Sequence, residues 1–378
     1  MPNVPLIQAA LEQAVADEVF PGAVLAVRYG GGQADMFAAG LVSTLDAAQS
    51  VQPATVYDLA SLTKPLSTVT GLVMLIQAGR CQLHDRVDSI LPELAGSPIG
   101  TASLWHLLTH SSGLPGWRGY YERLSPTASI PATEEQRGLS RLGLMKLIRD
   151  EALIYERGAR SLYSDLGFML LGMVVDRCSG APPQEFFRDR IASLAGTSQL
   201  GFVPAEWADD FLQCARRRGG EVAPTEHDIW RGRLLCGEVH DENAASLGGV
   251  AGHAGLFGTA AAVLAVAGAW LQAYHRRSSV LDPALVKEFT CRQTVVPGSS
   301  WALGWDTPSP PSSAGRFLPD VSFGHLGYTG TSLWIDPLHE LEIVLLSNRV
   351  HPTRKNEQIK AFRPLIHELV HREYVGGS

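Results

Sequence analysis

Strand-like runs stand near both ends of this chain while helical spacing fills its middle, and that order restricts the folds open to it. An amphipathic helix over Leu6 to Val19 leads to the turn Pro21-Gly22. The run Ala23-Val24-Leu25-Ala26-Val27-Arg28-Tyr29 then has the branching and apolar density of a strand. Gly30-Gly31-Gly32 turns the chain, and a second short strand to about Leu41 completes a hairpin. Strands return in Ser332-Leu333-Trp334-Ile335 and Leu341 to Leu346, ahead of a closing helix from about Lys360 to Tyr374. Between them, apolar residues recur at helical spacing in Leu66–Ile76, Leu104–Leu108, Leu142–Ile148, Phe168–Val175 and Ala260–Leu271. Ser125–Glu135 and Arg216–Asp228 read as loops, and Pro308 to Ser313 as a surface loop between late strands. The pattern predicts an α/β (α+β) fold in which an antiparallel β-sheet, shared by the two termini and flanked by terminal helices, carries an inserted all-helical domain. The expected division is 1–58 with 290–378 for the sheet domain and 59–289 for the mostly helical one, with the active site in the cleft between them.

Length and charge agree with this and narrow the partners. A chain of 378 residues exceeds one simple core. The net charge of −7 offers no basic face, and the run Arg216-Arg217-Arg218 gives way at once to Gly219, Gly220 and Glu221, so no nucleic-acid partner is expected. The most membrane-like stretch, Thr259 to Leu271, is too short to span a bilayer, so no membrane partner is expected either. Five widely spaced cysteines (Cys81, Cys178, Cys214, Cys236, Cys291) form no C-x-x-C pair and read as free buried thiols in a reducing compartment. Met1-Pro2-Asn3-Val4-Pro5 shows no basic stretch followed by a long apolar one. The cytoplasm is therefore the expected location, with the periplasm open should a leader have been removed.

Three short motifs carry the candidate chemistry. In Tyr57-Asp58-Leu59-Ala60-Ser61-Leu62-Thr63-Lys64-Pro65, a helix starting near Ser61 would place Ser61 and Lys64 three apart on one face. A serine alcohol needs a nearby base or cation to lose its proton, and a helix start adds unpaired N–H groups for a developing anion. Pro65 fits a first helical turn. In Ser161-Leu162-Tyr163-Ser164-Asp165-Leu166-Gly167, a phenol at a loop-to-helix boundary can enter a cleft and, near cations, act as a general base. Glycine-dense Phe323-Gly324-His325-Leu326-Gly327-Tyr328-Thr329-Gly330 lets a ligand approach a strand edge, where the Tyr328 N–H paired with that of Ser61 would form an oxyanion hole. Taken singly, a capped helix with a solvated lysine, a packed tyrosine and a plain glycine turn explain each motif as well.

In this order the motifs resemble the set S-x-x-K, Y-x-N and K/H/W-x-G of the serine β-lactamase and penicillin-binding-protein-like family, which includes class C β-lactamases, DD-peptidases and family VIII esterases. His106-Leu-Leu-Thr-His110-Ser-Ser-Gly113-Leu-Pro115, Gly248 to Gly258 and Ser347-Asn348-Arg349-Val-His-Pro352 look like the same family, so the likeness runs from about residue 15 to the end. The resemblance implies a β-lactamase/transpeptidase-like fold and a serine hydrolase acting through an acyl-enzyme on ester, amide or β-lactam carbonyls of a small-molecule acyl substrate. Ser61 is then the nucleophile, Lys64 its electrostatic and proton-relay partner, and Tyr163 the general base. Asp165 and His325 take the places of the Asn and Lys, Gly327 belongs to the third motif, and the Ser61 and Tyr328 amides take the oxyanion role. No metal or organic cofactor is implied. Asp165 and His325 depart from the family pattern by removing an amide donor and a permanent cation, which weakens recognition of penicillin-like carboxylates more than attack on a simple ester. An esterase or peptidase is the expectation, and a slowly acylated or non-catalytic ligand-binding protein the alternative. A zinc site at His106 and His110 lacks the Glu of H-E-x-x-H, and an α/β-hydrolase lacks its G-x-S-x-G elbow.

Overall fold

The computed structural model describes residues 4–45, 48–193, 195–217 and 220–376. Its central sheet is built from five strands: β1 (Gly22–Tyr29), β2 (Asp35–Gly40), β3 (Phe323–Leu326), β4 (Ser332–Asp336) and β5 (Leu341–Ser347), in the order β2-β1-β5-β4-β3. Every neighbouring pair is antiparallel, and the join between the two ends of the chain is β1 against β5, in register from Ala23 opposite Ser347 to Tyr29 opposite Leu341. Alternation along β1 explains the layers on either side. Ala23, Leu25 and Val27 face a core made with Ile343, Leu345 and the terminal helices α1 (Val4–Ala16) and α5 (Ile359–Val375), through Ile7, Leu11, Ile366 and Val370. Val24 and Ala26 face the larger core, where helix α4 (Ala260–Tyr274) packs beneath β1 and β5. The α+β arrangement expected from the strand order is therefore the observed one.

The inserted stretch is mostly helical but not all helical. Tyr57–Asp58, Leu256–Gly258 and Leu200–Phe202 form a small three-stranded sheet, and His227–Asp228 pairs with Arg233–Leu234. Strands of two or three residues are too short to show alternation in sequence. Two expected loops are also shortened by helices. Glu134–Arg149 begins inside the first, set by a reciprocal cap between Thr133 and Gln136. Ala208–Arg217 enters the second, where Arg216 pairs with Glu221, while Arg218 of the basic run and the following Gly219 lie outside the described residues. The 308–313 loop connects Asp306, which pairs with Gly324, to the start of β3. Four cysteines are free thiols; Cys81 and Cys178 are buried as expected, whereas Cys291 is exposed, and the Cys214 side chain lies outside the described residues. Among the described residues no helix is long and apolar enough to cross a membrane.

One cross-strand ion pair tests the β1–β5 join. Arg28 stands opposite Glu342, meets its carboxylate at 2.5 and 2.6 Å and also donates to the Leu264 carbonyl of α4 at 2.7 Å. Glu342 is 1% exposed. Removing the guanidinium strands a buried carboxylate, so Arg28→Ala is expected to cost about 3–5 kcal/mol in urea unfolding. An Arg28→Met, Glu342→Met double variant should recover most of it; equal losses in both would show that the pair does not hold the join.

Candidate active site

The segment around Ser61 is shaped by Pro65. The expected single helix is instead a 3-10 turn over Ala60–Leu62, a wide π turn over Lys64–Val69, and then the regular helix α2 (Thr70–Gln77). A proline ring crowds the carbonyl four residues back, and widening the turn relieves that contact. Just ahead of Ser61, Ala60 sits at φ +47°, a costly conformation for alanine. It is held by Asp58, whose Oδ1 accepts the Ala60 N–H at 2.8 Å and whose Oδ2 accepts the His240 N–H at 2.6 Å.

Three distant segments converge on Ser61. Lys64 lies one turn away, completely buried, and its ammonium donates to Ser61 Oγ at 3.0 Å, Asp165 Oδ1 at 2.6 Å and the His253 carbonyl at 3.2 Å. Three donors meet three acceptors. Tyr163 OH donates to Ser61 Oγ at 2.9 Å, beside Lys64. The phenol is positioned by the 106–116 segment. Ser161 Oγ donates to the Thr109 carbonyl, the Leu162 N–H to the His110 carbonyl, the Ser164 N–H to His110 Nδ1, and the Asp165 N–H to the Gly116 carbonyl, at 2.8, 2.8, 3.1 and 2.9 Å. Asp165 is the first residue of helix α3 (Asp165–Ser179), capped by Ser164. The glycine-rich 248–258 stretch is tied to the Lys64–Val69 turn through the Gly252 carbonyl, which accepts from Thr68 Oγ1 at 2.7 Å, and it also packs on α3. Gly172 and Gly252 touch backbone to backbone, where a Cβ on Gly252 would come within 2.3 Å of the Phe168 carbonyl.

The turn from β3 to β4 supplies the fourth wall. Thr329 Oγ1 donates to the Asp58 carbonyl at 2.7 Å and Thr331 Oγ1 to the Leu59 carbonyl at 3.1 Å, which ties the turn to the Ser61 segment. Arg363 of α5 holds its other side through the Gly327 and Thr331 carbonyls, at 2.6 and 2.8 Å. Gly327 has no room for a side chain, because a Cβ would come within 1.9 Å of Thr331 Oγ1. The N–H groups of Ser61 and Tyr328 donate to no other described residue. Both residues line a cavity of about 300 Å³ with Ala60, Trp117, Tyr163, Asp165, His240, Asp241, Glu242, Ala254 and Arg354.

Charge in this site differs from the expectation in two places. Asp165 does not stand free for a substrate amide, since its carboxylate is engaged by Lys64. Burial opposes the ammonium, but the Asp165 carboxylate and Tyr163 outweigh it and hold the Lys64 pKa above that of an ordinary lysine. Burial pushes the Tyr163 phenol up to about 12, the Lys64 charge pulling weakly the other way. His325 is joined to the group by ring contact with Tyr163 and Trp301, but it is 3% exposed, bonds Leu326 O through Nδ1 at 2.7 Å, and is pushed down to about 3 by burial and by Lys64. It is a neutral ring and does not replace the missing cation. The two histidines of 106–110 serve separate ends, His106 capping the helix Leu104–Leu108 through Ser103 and His110 accepting from Ser164.

Sequence reading missed the supporting residues Asp58, Asp241, Arg349 and Arg363. Asp241 fixes His253 by a 2.9 Å hydrogen bond, and although burial opposes its charge, His253 and the Ala244 N–H hold its carboxyl below the usual range. Arg349 Nε donates to the Tyr328 carbonyl at 2.8 Å, and this Arg was visible as part of Ser347-Asn348-Arg349. Asp58 and Arg363 left no sequence signal, since each acts through main-chain atoms of another segment.

The fold and the serine–lysine–tyrosine cluster define a class, the serine hydrolases with a β-lactamase fold. The chain belongs to the Beta-lactamase family, whose model matches residues 7–367. It is 32% identical over 88% of its length to N-acetylmuramyl-L-alanine amidase of Bacillus subtilis strain 168, covering 78% of that protein. It is 30% identical over 79% of its length, and 70% of the other chain, to the protein named "Putative D-alanyl-D-alanine carboxypeptidase" in Escherichia coli strain K12. Simvastatin synthase (LovD) from Aspergillus terreus has the same fold, with a TM-score of 0.72 over 99% of both chains at 19% identity.

Histidines held neutral by the fold set a pH dependence. His325 keeps its proton off down to about 3, and His106 and His367 to about 4, whereas unfolded histidine titrates near 6.5. Below about 6.5 the unfolded chain therefore binds protons that the folded chain refuses, and stability falls as pH drops towards 4. Thermal melts from pH 7 to 4.5 should show this loss, with a shallower slope in His325→Gln; parallel slopes would mean that His325 is not held neutral by the fold.

Proposed function

We propose that this chain hydrolyses esters or amides of small acyl groups through an acyl-enzyme on Ser61. The reading rests on one observation, the simultaneous approach of Lys64 Nζ and Tyr163 OH to Ser61 Oγ at 3.0 and 2.9 Å. In the first step Ser61 Oγ bonds to the substrate carbonyl carbon, the oxygen charge falls on the Ser61 and Tyr328 amides, and the alcohol or amine departs with a proton. Water then attacks the acyl ester and restores Ser61. The serine proton needs an acceptor, and Lys64 Nζ at 3.0 Å from Ser61 Oγ offers one route. Lys64 acts in its neutral amine form, which Asp165 disfavours, and receives the proton from Ser61 Oγ, with the Tyr163 phenol passing protons between nucleophile and leaving group.

The cavity supports a substrate without a free carboxylate. Arg354 in its wall is already committed to Glu226 and Glu242 at 2.5 and 2.7 Å, and Lys64 behind Ser61 is committed to Asp165. Asp241 and Glu242 add negative charge to the same walls. Simple esters and amides of uncharged or amine-bearing acyl groups fit this balance better than penicillins.

Turnover of p-nitrophenyl acetate should fall by on the order of a thousandfold or more in Ser61→Ala. A second reading is favoured by the protonated state of both Lys64 and Tyr163: a protein that binds its ligand and is acylated slowly or never. Equal residual rates in the two proteins, with no acyl adduct in intact-mass spectra, would establish that reading instead. The proton route has its own test. Asp165→Asn removes the charge that raises the Lys64 pKa, so the ascending limb of kcat/KM against pH should move to lower pH. An unmoved limb would take Lys64 out of the proton transfer.

A further inference from the structure

Helix α5 grips β4 through one stripe of its surface. Residues four apart share a helix face, and Arg363, His367 and His371 are spaced in this way. Arg363 donates to the Gly327 and Thr331 carbonyls ahead of β4, and His367 Nε2 lies 3.1 Å from Ser332 Oγ at its start. His371 stands at the far end, with Nε2 3.8 Å from Asp336 Oδ2, beyond hydrogen-bonding distance. The first two members of the stripe each make hydrogen bonds, although Arg363 Nε has no partner among the described residues. The third makes none: His371 is 6% exposed, and neither of its ring nitrogens has a partner. An imidazole buried with both nitrogens unspent is costly and calls for a ligand.

The surroundings specify that ligand. Asp336 is fully buried; its Oδ1 accepts the N–H groups of Leu338 and His339 at 2.9 and 3.2 Å, which points Oδ2 at the two histidines. His339, in the turn between β4 and β5, places Nδ1 2.6 Å from Oδ2. Among the described residues this group brings three ligand atoms within 4.8 Å of one another. Phe317 stacks on the His371 ring at 5.9 Å and holds its plane beside Asp336.

We propose that Asp336, His339 and His371 bind a divalent transition-metal ion, with Zn²⁺ the best match, as a clasp between α5 and the β4–β5 turn. Two imidazoles and one carboxylate suit zinc, whereas Mg²⁺ and Ca²⁺ prefer all-oxygen shells. Bonds of about 2.0–2.1 Å to a tetrahedral ion set its ligand atoms roughly 3.3 Å apart. The 3.8 Å gap closes slightly and the 2.6 Å one opens. The proton on His339 Nδ1 moves to Nε2 as the other tautomer, so no redox partner or net proton is required. His339 is a third exposed, which leaves the fourth position to water. The site lies about 13 Å along β4 from Ser332, at roughly 3.3 Å per residue, and so stands apart from the cleft.

The test uses the full, untagged chain stripped with a chelator and titrated with ZnCl₂ by calorimetry, with MgCl₂ as control. One Zn²⁺ per chain at micromolar affinity or tighter, a melting temperature that rises with zinc, and at least a tenfold loss of affinity in both His339→Ala and His371→Gln support the clasp. His339 is partly exposed, so its variant tests the site even if His371→Gln fails to fold. Absence of stoichiometric binding in the unmodified chain, or equal affinity and equal melting rise in His339→Ala, overturns it.

Discussion

One buried ammonium organises this molecule. Lys64 has no solvent contact, and a charge so placed is tolerable only with its donors filled. The three acceptors come from residue 61, residue 165 and residue 253, which lie on three separate segments. Burying Lys64 therefore requires the start of α3, the 248–258 stretch and the Ser61 turn to meet at one point. The apolar packing beneath them, Leu62, Leu66, Phe168 and Leu256 among it, stabilises that meeting without determining where the polar groups fall.

The sheet contributes position more than chemistry. The turn after β3 is fixed on one side by Thr329 and Thr331 to the carbonyls of residues 58 and 59, and on the other by Arg363 from the last helix. The last helix is in turn set on the sheet by α1 and the core through Ile366 and Val370. Parts from the two ends of the chain thus hold the Tyr328 amide beside the nucleophile, which explains why the terminal strands must share a sheet for the site to exist.

The sheet itself was legible because its strands carry long apolar runs with alternating faces, as in Ala23 to Tyr29 and Leu341 to Leu346. Helix α4 was legible for a similar reason, its alanine-rich stripe being periodic over four turns. What escaped reading was short or indirect. The three-stranded sheet at residue 257 has too few residues per strand to show a period, and the π turn at Lys64–Val69 follows from a local steric contact with Pro65 that spacing does not reveal. For the site, Ser61, Lys64 and Tyr163 were readable as motifs, but the environment of each was not. The neutrality of His325 depends on Trp301 and Tyr163 packed around it, and the pairing of Asp165 with Lys64 depends on a fold that crosses 101 residues of sequence.

Those two environments combine into one consequence for the chemistry. Relative to a pattern with asparagine at 165 and lysine at 325, the site here has gained a negative charge and lost a positive one, close to the same serine. A tyrosine can ionise near neutrality only where nearby cations outweigh its burial. Around Tyr163 the one neighbouring ammonium is offset by Asp165, and the ring at 325 carries no charge, so burial prevails and the phenol keeps its proton. The same carboxylate stands 2.6 Å from Lys64 and holds its proton on the ammonium. The departure from the family pattern therefore leaves the ammonium and the phenol both protonated beside Ser61, so the proposed reaction depends on the small fraction of Lys64 that carries a free amine.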